Sequence, residues 1–129
     1  FRAYQLARQL GHPLRVGLMI SDWYFPEAQK AGLTSGFGDA FLRLTAIKVF
    51  HGNSLSGRTC WLSEPYEGRP DYFGIPPARS QAELDAHIRD IVAAGWQVAT
   101  HANGDREIDM VLTAYERANP RPDSRLRVE

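Results

Sequence analysis

A single cysteine, Cys60, in 129 residues leaves no partner for an internal disulfide. That excludes a disulfide-stapled secreted scaffold and makes a reducing cytoplasm the default compartment. An excess of charge of either sign is also missing, because 15 basic and 15 acidic side chains cancel. The electrostatic footprint of a nucleic-acid binder is therefore absent, and nothing draws the chain to a membrane surface. No apolar run approaches a membrane span, and no signal peptide, internal repeat or low-complexity tract is visible. The chain begins at Phe1 rather than Met, so the missing signal peptide carries little weight. What remains is 43% hydrophobic and 23% charged, the composition of a folded globular protein. Its length suits one ordinary domain but falls well short of the roughly 250 residues of a complete (β/α)8 barrel.

Helix and strand patterns alternate along the chain. Ala3, Leu6, Ala7 and Leu10 fall on one helical face, and Gly11 with Pro13 should stop that helix. Residues 14–20 read as a buried strand. Residues 21–38 read as a loop with one short helix near Pro26–Lys30. A second strand is expected over 44–50, followed by some thirty residues punctuated by glycine and proline. Ser80-Gln81-Ala82-Glu83 is a capping box opening a helix that buries Leu84, Ile88, Ile91 and Val92 and ends at Gly95. A third strand should run from Trp96 to Thr100 and end at His101. The next helix carries Ile108, Val111, Leu112 and Tyr115 on one face and stops at Asn119-Pro120. A fourth strand opens at Leu126. This βαβαβ order predicts an α/β fold with about four parallel strands. No glycine-rich phosphate turn follows any strand, so dinucleotide binding loses its main support. Polar, chemistry-bearing residues sit instead at strand C-terminal ends, where barrels place their active sites.

Strand alternation decides which of those residues can meet. In the second strand, Leu44, Ala46 and Lys48 should share one face, with Thr45, Ile47 and Val49 opposite, against outer helices. In the third, Trp96, Val98 and Thr100 should face helices, while Gln97, Ala99 and His101 point inward. Lys48 and His101 then enter the same ring near the same end. An inward lysine is costly unless paired or altered. Either a carboxylate pairs with it, or its neutral amine adds carbon dioxide to give a carbamate, an anionic ligand able to bridge two metal ions. A histidine at a strand end is either a hydrogen-bonded polar group or a nitrogen ligand of a metal site built from nitrogen and oxygen donors.

The stretch Thr100-His101-Ala102-Asn103-Gly104-Asp105-Arg106 resembles the His-Ala-x-Gly-Asp-Arg segment of amidohydrolase family 3. That group of metal-dependent hydrolases in the amidohydrolase superfamily includes N-substituted formamide deformylase-like proteins. Lys48-Val49-Phe50, followed by Ser54-Leu55-Ser56-Gly57-Arg58-Thr59, is similar to the segment where the family carries a lysine and then a Gly-Ser-rich turn with Arg-Thr. Glu64-Pro65-Tyr66 matches the Pro-Tyr that follows. Arg125-Leu126-Arg127-Val128-Glu129 resembles the family's Arg-His-Arg-Ile-Glu-His segment, up to the residue before its last histidine.

The resemblance implies an internal piece, approximately strands 3 to 6, of a metal-dependent hydrolase (β/α)8 TIM barrel with a divalent metal, zinc by preference. The family's ligands are a His-x-His pair on the first strand, an often carbamylated lysine, histidines ending the fifth and sixth strands, and an eighth-strand aspartate. Carried over by position, His101 matches the fifth-strand histidine and Lys48 the lysine. The family's general base is that aspartate, so no catalytic base is assigned in this chain. The implied reaction is hydrolysis of a C–N, amide-like bond in a small molecule by a metal-activated water. Gly52-Asn53-Ser54, preceded by His51, replaces the usual Asp-Gly-Ser, and Leu126 stands where a histidine is common. Both departures bear on the substrate.

Asn53 and Arg58, in the long loop, are candidates for substrate contact. Asp105 is another, and it serves equally as a first-turn carboxylate of the following helix. His51 is near Lys48 but points the opposite way. Cys60 reads as a packed thiol. Two open sheet edges and an exposed inner face lead us to expect a homo-oligomer. The competing class is a non-catalytic α/β binding or regulatory module on a half-barrel scaffold, separated from the hydrolase by the ordered motif series.

Overall fold

The computed structural model describes residues 1–12 and 14–129. In chain order these form α1 (Arg2–Gln9), β1 (Val16–Ser21), a 3-10 turn (Asp22–Tyr24), α2 (Phe25–Lys30), β2 (Leu42–Phe50), α3 (Gln81–Ala93), β3 (Gln97–His101), α4 (Asp105–Arg117) and β4 (Arg127–Val128). All strand pairs are parallel, and the strands lie side by side in chain order, leaving β1 and β4 at the edges. The fold is thus the expected four-stranded α/β segment of a barrel. Pro13, expected to help stop α1, lies outside the described residues; Gly11 takes a φ of 84° just past the helix, the left-handed conformation glycine adopts freely.

One face of the sheet is the core. Ile47 and Val49 of β2 and Val98 of β3 pack with Phe25 and Ala28 of α2, Leu84, Ile88 and Ile91 of α3, and Val111, Ala114 and Tyr115 of α4. Each fully buried aliphatic side chain stabilises the fold by roughly 1.5–3 kcal/mol. The Ser80–Glu83 capping box forms: Ser80 Oγ accepts from Glu83 N–H at 3.4 Å and Glu83 Oε2 from Ser80 N–H at 2.8 Å.

Three details differ from the sequence reading. The pairing register slips beside Leu18, so that Leu18 meets Leu44 while Met19 meets Ala46. Thr45 is the extra residue of this bulge, and its Oγ1 donates to Leu18 O at 3.1 Å. Leu44 therefore joins Ile47 and Val49 in the core, rather than sharing the face of Lys48. On α4, Leu112 is half exposed and Ala114 buried, because α3 covers an arc turned slightly from the one the apolar periodicity marks. The apolar stripe of α1 meets no core: none of its residues is buried.

Residues 51–80 contain neither helix nor strand, yet they are tied internally. Leu62 N–H reaches Phe73 O at 2.8 Å, Ile75 N–H reaches Thr59 O at 3.0 Å, and Tyr66 Oη donates to Cys60 O at 3.0 Å. Cys60 is fully buried, and burial, with Glu107 second, pushes its thiol up, as a packed thiol requires.

Short β4 is held by Tyr115 of α4, whose hydroxyl meets Arg127 O at 2.8 Å and Thr100 Oγ1 at 2.7 Å. The carbonyl can only accept, so the tyrosine proton goes to Arg127 and Thr100 supplies its own. Burial pushes this phenol up to about 12. Replacing Tyr115 by Phe should cost about 1–2 kcal/mol in denaturant unfolding and speed amide exchange in residues 127–129; unchanged exchange there would show that β4 is anchored otherwise.

Candidate functional site

The face of the sheet opposite the core carries Lys48, His101, Arg127 and Glu129. Lys48 projects from it beside Ala99, and two residues later Phe50 lies beside His101 in register. One strand repeat of about 7 Å thus separates the level of Lys48 from that of His101. Phe50 contacts both: its ring centroid is 5.9 Å from that of His101 and 5.5 Å from Lys48 Nζ. Lys48 Nζ pairs with Glu129 at 2.5 Å, and Arg127 Nε pairs with the other oxygen of Glu129 at 2.5 Å. Arg127 Nη2 extends to Met19 Sδ at 3.2 Å, so residues of β1, β2 and β4 and the adjoining Glu129 share one polar contact chain. Hydrogen bonds from Lys48, then Arg127, hold the Glu129 carboxyl below its ordinary range. Of the two states open to an inward lysine, the structure contains the carboxylate pair.

His101 is fixed from the loop after β2. Its Nε2 lies 3.0 Å from Asn53 O and 3.2 Å from Asn103 Nδ2, and Asn103 Nδ2 donates to Asn53 O at 3.1 Å. The Asn53 carbonyl only accepts and the Asn103 NH2 only donates, so both cannot bond Nε2 in one tautomer. Because the Asn103 NH2 already has the Asn53 carbonyl as its acceptor, the bond that orders the ring is Nε2–H to Asn53 O, which leaves the lone pair on Nδ1. Histidine ligands characteristically donate one ring N–H to a carbonyl in this way and bind metal through the other nitrogen. No hydrogen bond to Nδ1 occurs among the described residues. His101 therefore fits a metal site as a single nitrogen donor. Among the described residues no group of three His, Cys, Asp or Glu could hold an ion, so what fits is a share of a site.

Of the other expected residues, Asn53 reaches His101 through its backbone, while its side chain donates to Ile75 O at 3.3 Å. Arg58 is exposed at a turn with a φ of 53°, and no hydrogen bond joins its side chain to His101 among the described residues. Asp105, first residue of α4, binds Ser63 N–H at 2.9 Å and the Ser63 hydroxyl. The Ser63 side chain holds the Asp105 carboxyl below its ordinary range, and this latches the long loop to the helix start. His51 is buried on the core side, and neither of its ring nitrogens has a hydrogen-bond partner among the described residues. Burial, then Arg79, lowers its pKa against the opposing pull of Glu107.

Two groups escaped the sequence reading. Glu107 has no exposure and accepts four backbone N–H groups, from Asn53 at 3.3 Å, Trp61 at 2.9 Å, Asn103 at 3.2 Å and Gly104 at 2.8 Å. Its position three residues after the N-cap Gly104 was the available signal. Asp22, also buried, takes Arg79 Nη2 at 2.7 Å and His87 Nε2 at 3.1 Å, and Arg79 reaches on to Phe50 O at 3.4 Å. This network ties the C-terminal ends of β1 and β2 to α3.

A parallel α/β sheet with its strands in chain order and polar groups at the strand C-terminal ends has the architecture of a (β/α)8-barrel segment. The chain belongs to the amidohydrolase family, which matches it over residues 2–129. It is 31% identical over 121 residues to the "Putative amidohydrolase YtcJ" of Bacillus subtilis (strain 168), covering 93% of this chain and 22% of that protein. It is 28% identical over 126 residues to "Protein LONG AFTER FAR-RED 3" of Arabidopsis thaliana, covering 95% and 18%. An uncharacterized metal-dependent hydrolase from Pyrococcus furiosus superimposes with a TM-score of 0.78 at 26% identity, over 98% of this chain and 31% of that one. One from Pyrococcus horikoshii OT3 gives 0.78 at 24% identity, over 98% and 30%. The chain thus spans about a fifth of the curated relatives' length and under a third of the solved chains.

For Asp22, burial raises the pKa, but His87 and Arg79 together outweigh it and leave the carboxyl below its ordinary value. A depressed folded pKa stabilises above the unfolded value, near pH 4, and that stability is lost as pH falls through the folded value. Asp22→Asn should therefore destabilise by about 1–3 kcal/mol at pH 7, with the deficit shrinking below about pH 4. Urea melts at several pH values check this, and a deficit constant with pH would remove Asp22 from the linkage.

Proposed function

We propose that these residues are part of a metal-dependent hydrolase that cleaves C–N, amide-like bonds in a small molecule, and that they form strands 3 to 6 of its barrel. The observation that carries this reading is the contact of His101 Nε2 with the Asn53 carbonyl at 3.0 Å, which turns Nδ1 toward the sheet face that also bears Lys48 as the nitrogen left to bind a metal. His101 and Lys48 are the local ligands, Lys48 as a carbamate once released from Glu129. Zinc suits the nitrogen and oxygen donors. When bound, the divalent ion supplies Lewis acidity toward an amide-like carbonyl and acidifies water. The chain's own residues orient the imidazole, through Asn53 and Asn103, and hold the inner-face charges in place, through Arg127 and Glu129. Asn53, Arg58 and Asp105, on the segments around His101, belong to the substrate side.

Family membership, the metal-dependent hydrolases it superimposes on and the motif order support this reading. No helix is long and apolar enough to cross a membrane among the described residues, and one buried free cysteine suits a reducing cytoplasm.

Elemental analysis of the full-length protein should find a stoichiometric divalent ion that His101→Ala abolishes; a metal-free protein prepared under metal-replete conditions would leave only a scaffold and favour the binding-module alternative. Residues 1–129 alone should show no amide hydrolysis, since a single nitrogen donor and one lysine do not complete a centre. Metal-dependent turnover by that segment would overturn the partition of ligands.

A further inference from the structure

Glu107 could be an ordinary helix cap, since a glutamate at the third position reaches back to the N-cap N–H. That role needs only the bond from Gly104. The other three N–H groups it accepts belong to Asn53 and Trp61, on the loop after β2, and to Asn103 at the end of β3. The surroundings are built around this carboxylate: a Cβ on Gly52 would collide with Glu107 Oε2, and one on Gly104 with the Trp61 carbonyl.

Those bonds converge on one carbonyl. Asn53 is held by its N–H to Glu107 Oε1, and its carbonyl receives the Nε2 proton of His101. Asn103 is held by its N–H to Glu107 Oε2, and its side chain donates to the same Asn53 carbonyl. Both groups that touch His101 Nε2 therefore hang from Glu107. We propose that Glu107 is a positioning residue for His101, clamping Asn53 and Asn103 so that Nε2 stays protonated and Nδ1 stays the donor nitrogen. This rests on the reading of His101 as a ligand for its consequence, but the tautomer itself does not. The role requires a carboxylate. Each oxygen takes two N–H donors, and an amide would set its own NH2 against one of those pairs.

The test uses the full-length protein with Glu107→Gln, and Val111→Ala as a control that removes buried packing from the same helix. Two readouts apply: cobalt(II) titration followed by its visible absorption, and the ring 15N shifts of His101 in metal-free protein. Glu107→Gln should weaken cobalt binding about 10- to 100-fold and turn the His101 shifts toward a tautomer mixture. Val111→Ala should lower the melting temperature and move neither readout. If both readouts match the unmutated protein in Glu107→Gln, or move equally in Val111→Ala, the proposal is overturned. Should the unmutated protein bind no cobalt, the hydrolase reading fails, and the 15N shifts alone decide the role of Glu107. Should Glu107→Gln not fold, amide exchange in the unmutated protein decides. Asn53 and Asn103 N–H exchanging as slowly as the core of α4 supports the clamp, and exchange at the rate of an exposed loop overturns it.

Discussion

A carboxylate removed entirely from water is among the least favourable things a fold can contain, and its burial is tolerated only where donors replace the lost solvent. Glu107 meets that condition with four backbone N–H groups drawn from two loops and its own helix start. The dependence runs both ways. Those N–H groups lie in irregular segments with no strand or helix partner, and buried backbone donors need an acceptor. One side chain thus lets a long, non-repetitive loop pack against the sheet end without leaving unpaired groups behind.

Around that anchor the polar groups divide by side of the sheet. On the core side, Asp22, Arg79 and His87 join strand ends to α3, and His51 lies buried with no hydrogen-bond partner for its ring among the described residues. On the inner side, Lys48, Glu129, Arg127 and His101 occupy one surface with Phe50 in contact with two of them. The first set fixes backbone position, and the second offers groups to whatever enters from the strand ends. Separation of this kind allows loop chemistry to change without disturbing the layer beneath.

Much of this was legible in the residues. Strand period alone put Lys48 and His101 on the inner face, because a two-residue repeat needs no tertiary information. The Ser80–Glu83 cap and the helix behind it were equally local. Glu107 was not legible as a hub, since its decisive partners lie 46 and 54 positions away. Glu129 as the partner of Lys48 is 81 positions distant. The covered arc of α4 depended on how α3 lies against it, which periodicity does not specify. For Asn53, residue type suggested a side-chain role, whereas the structure uses its carbonyl, a group that every residue carries.

The bulge at Thr45 has a consequence for how β2 tolerates change. Below it, Leu44 faces the helices on even numbering; above it, Ile47 and Val49 do so on odd numbering. The phase slip is written in the sequence as Leu-Thr-Ala-Ile, where the apolar spacing changes from two to three. One inserted residue uncouples the two halves of the strand. The lower half answers to the core, while the upper half keeps Lys48 on the inner surface. Loss of Thr45 without compensation would force a choice between them, turning either the leucine out of the core or the lysine into it. Residue length at this point is therefore constrained more tightly than residue identity.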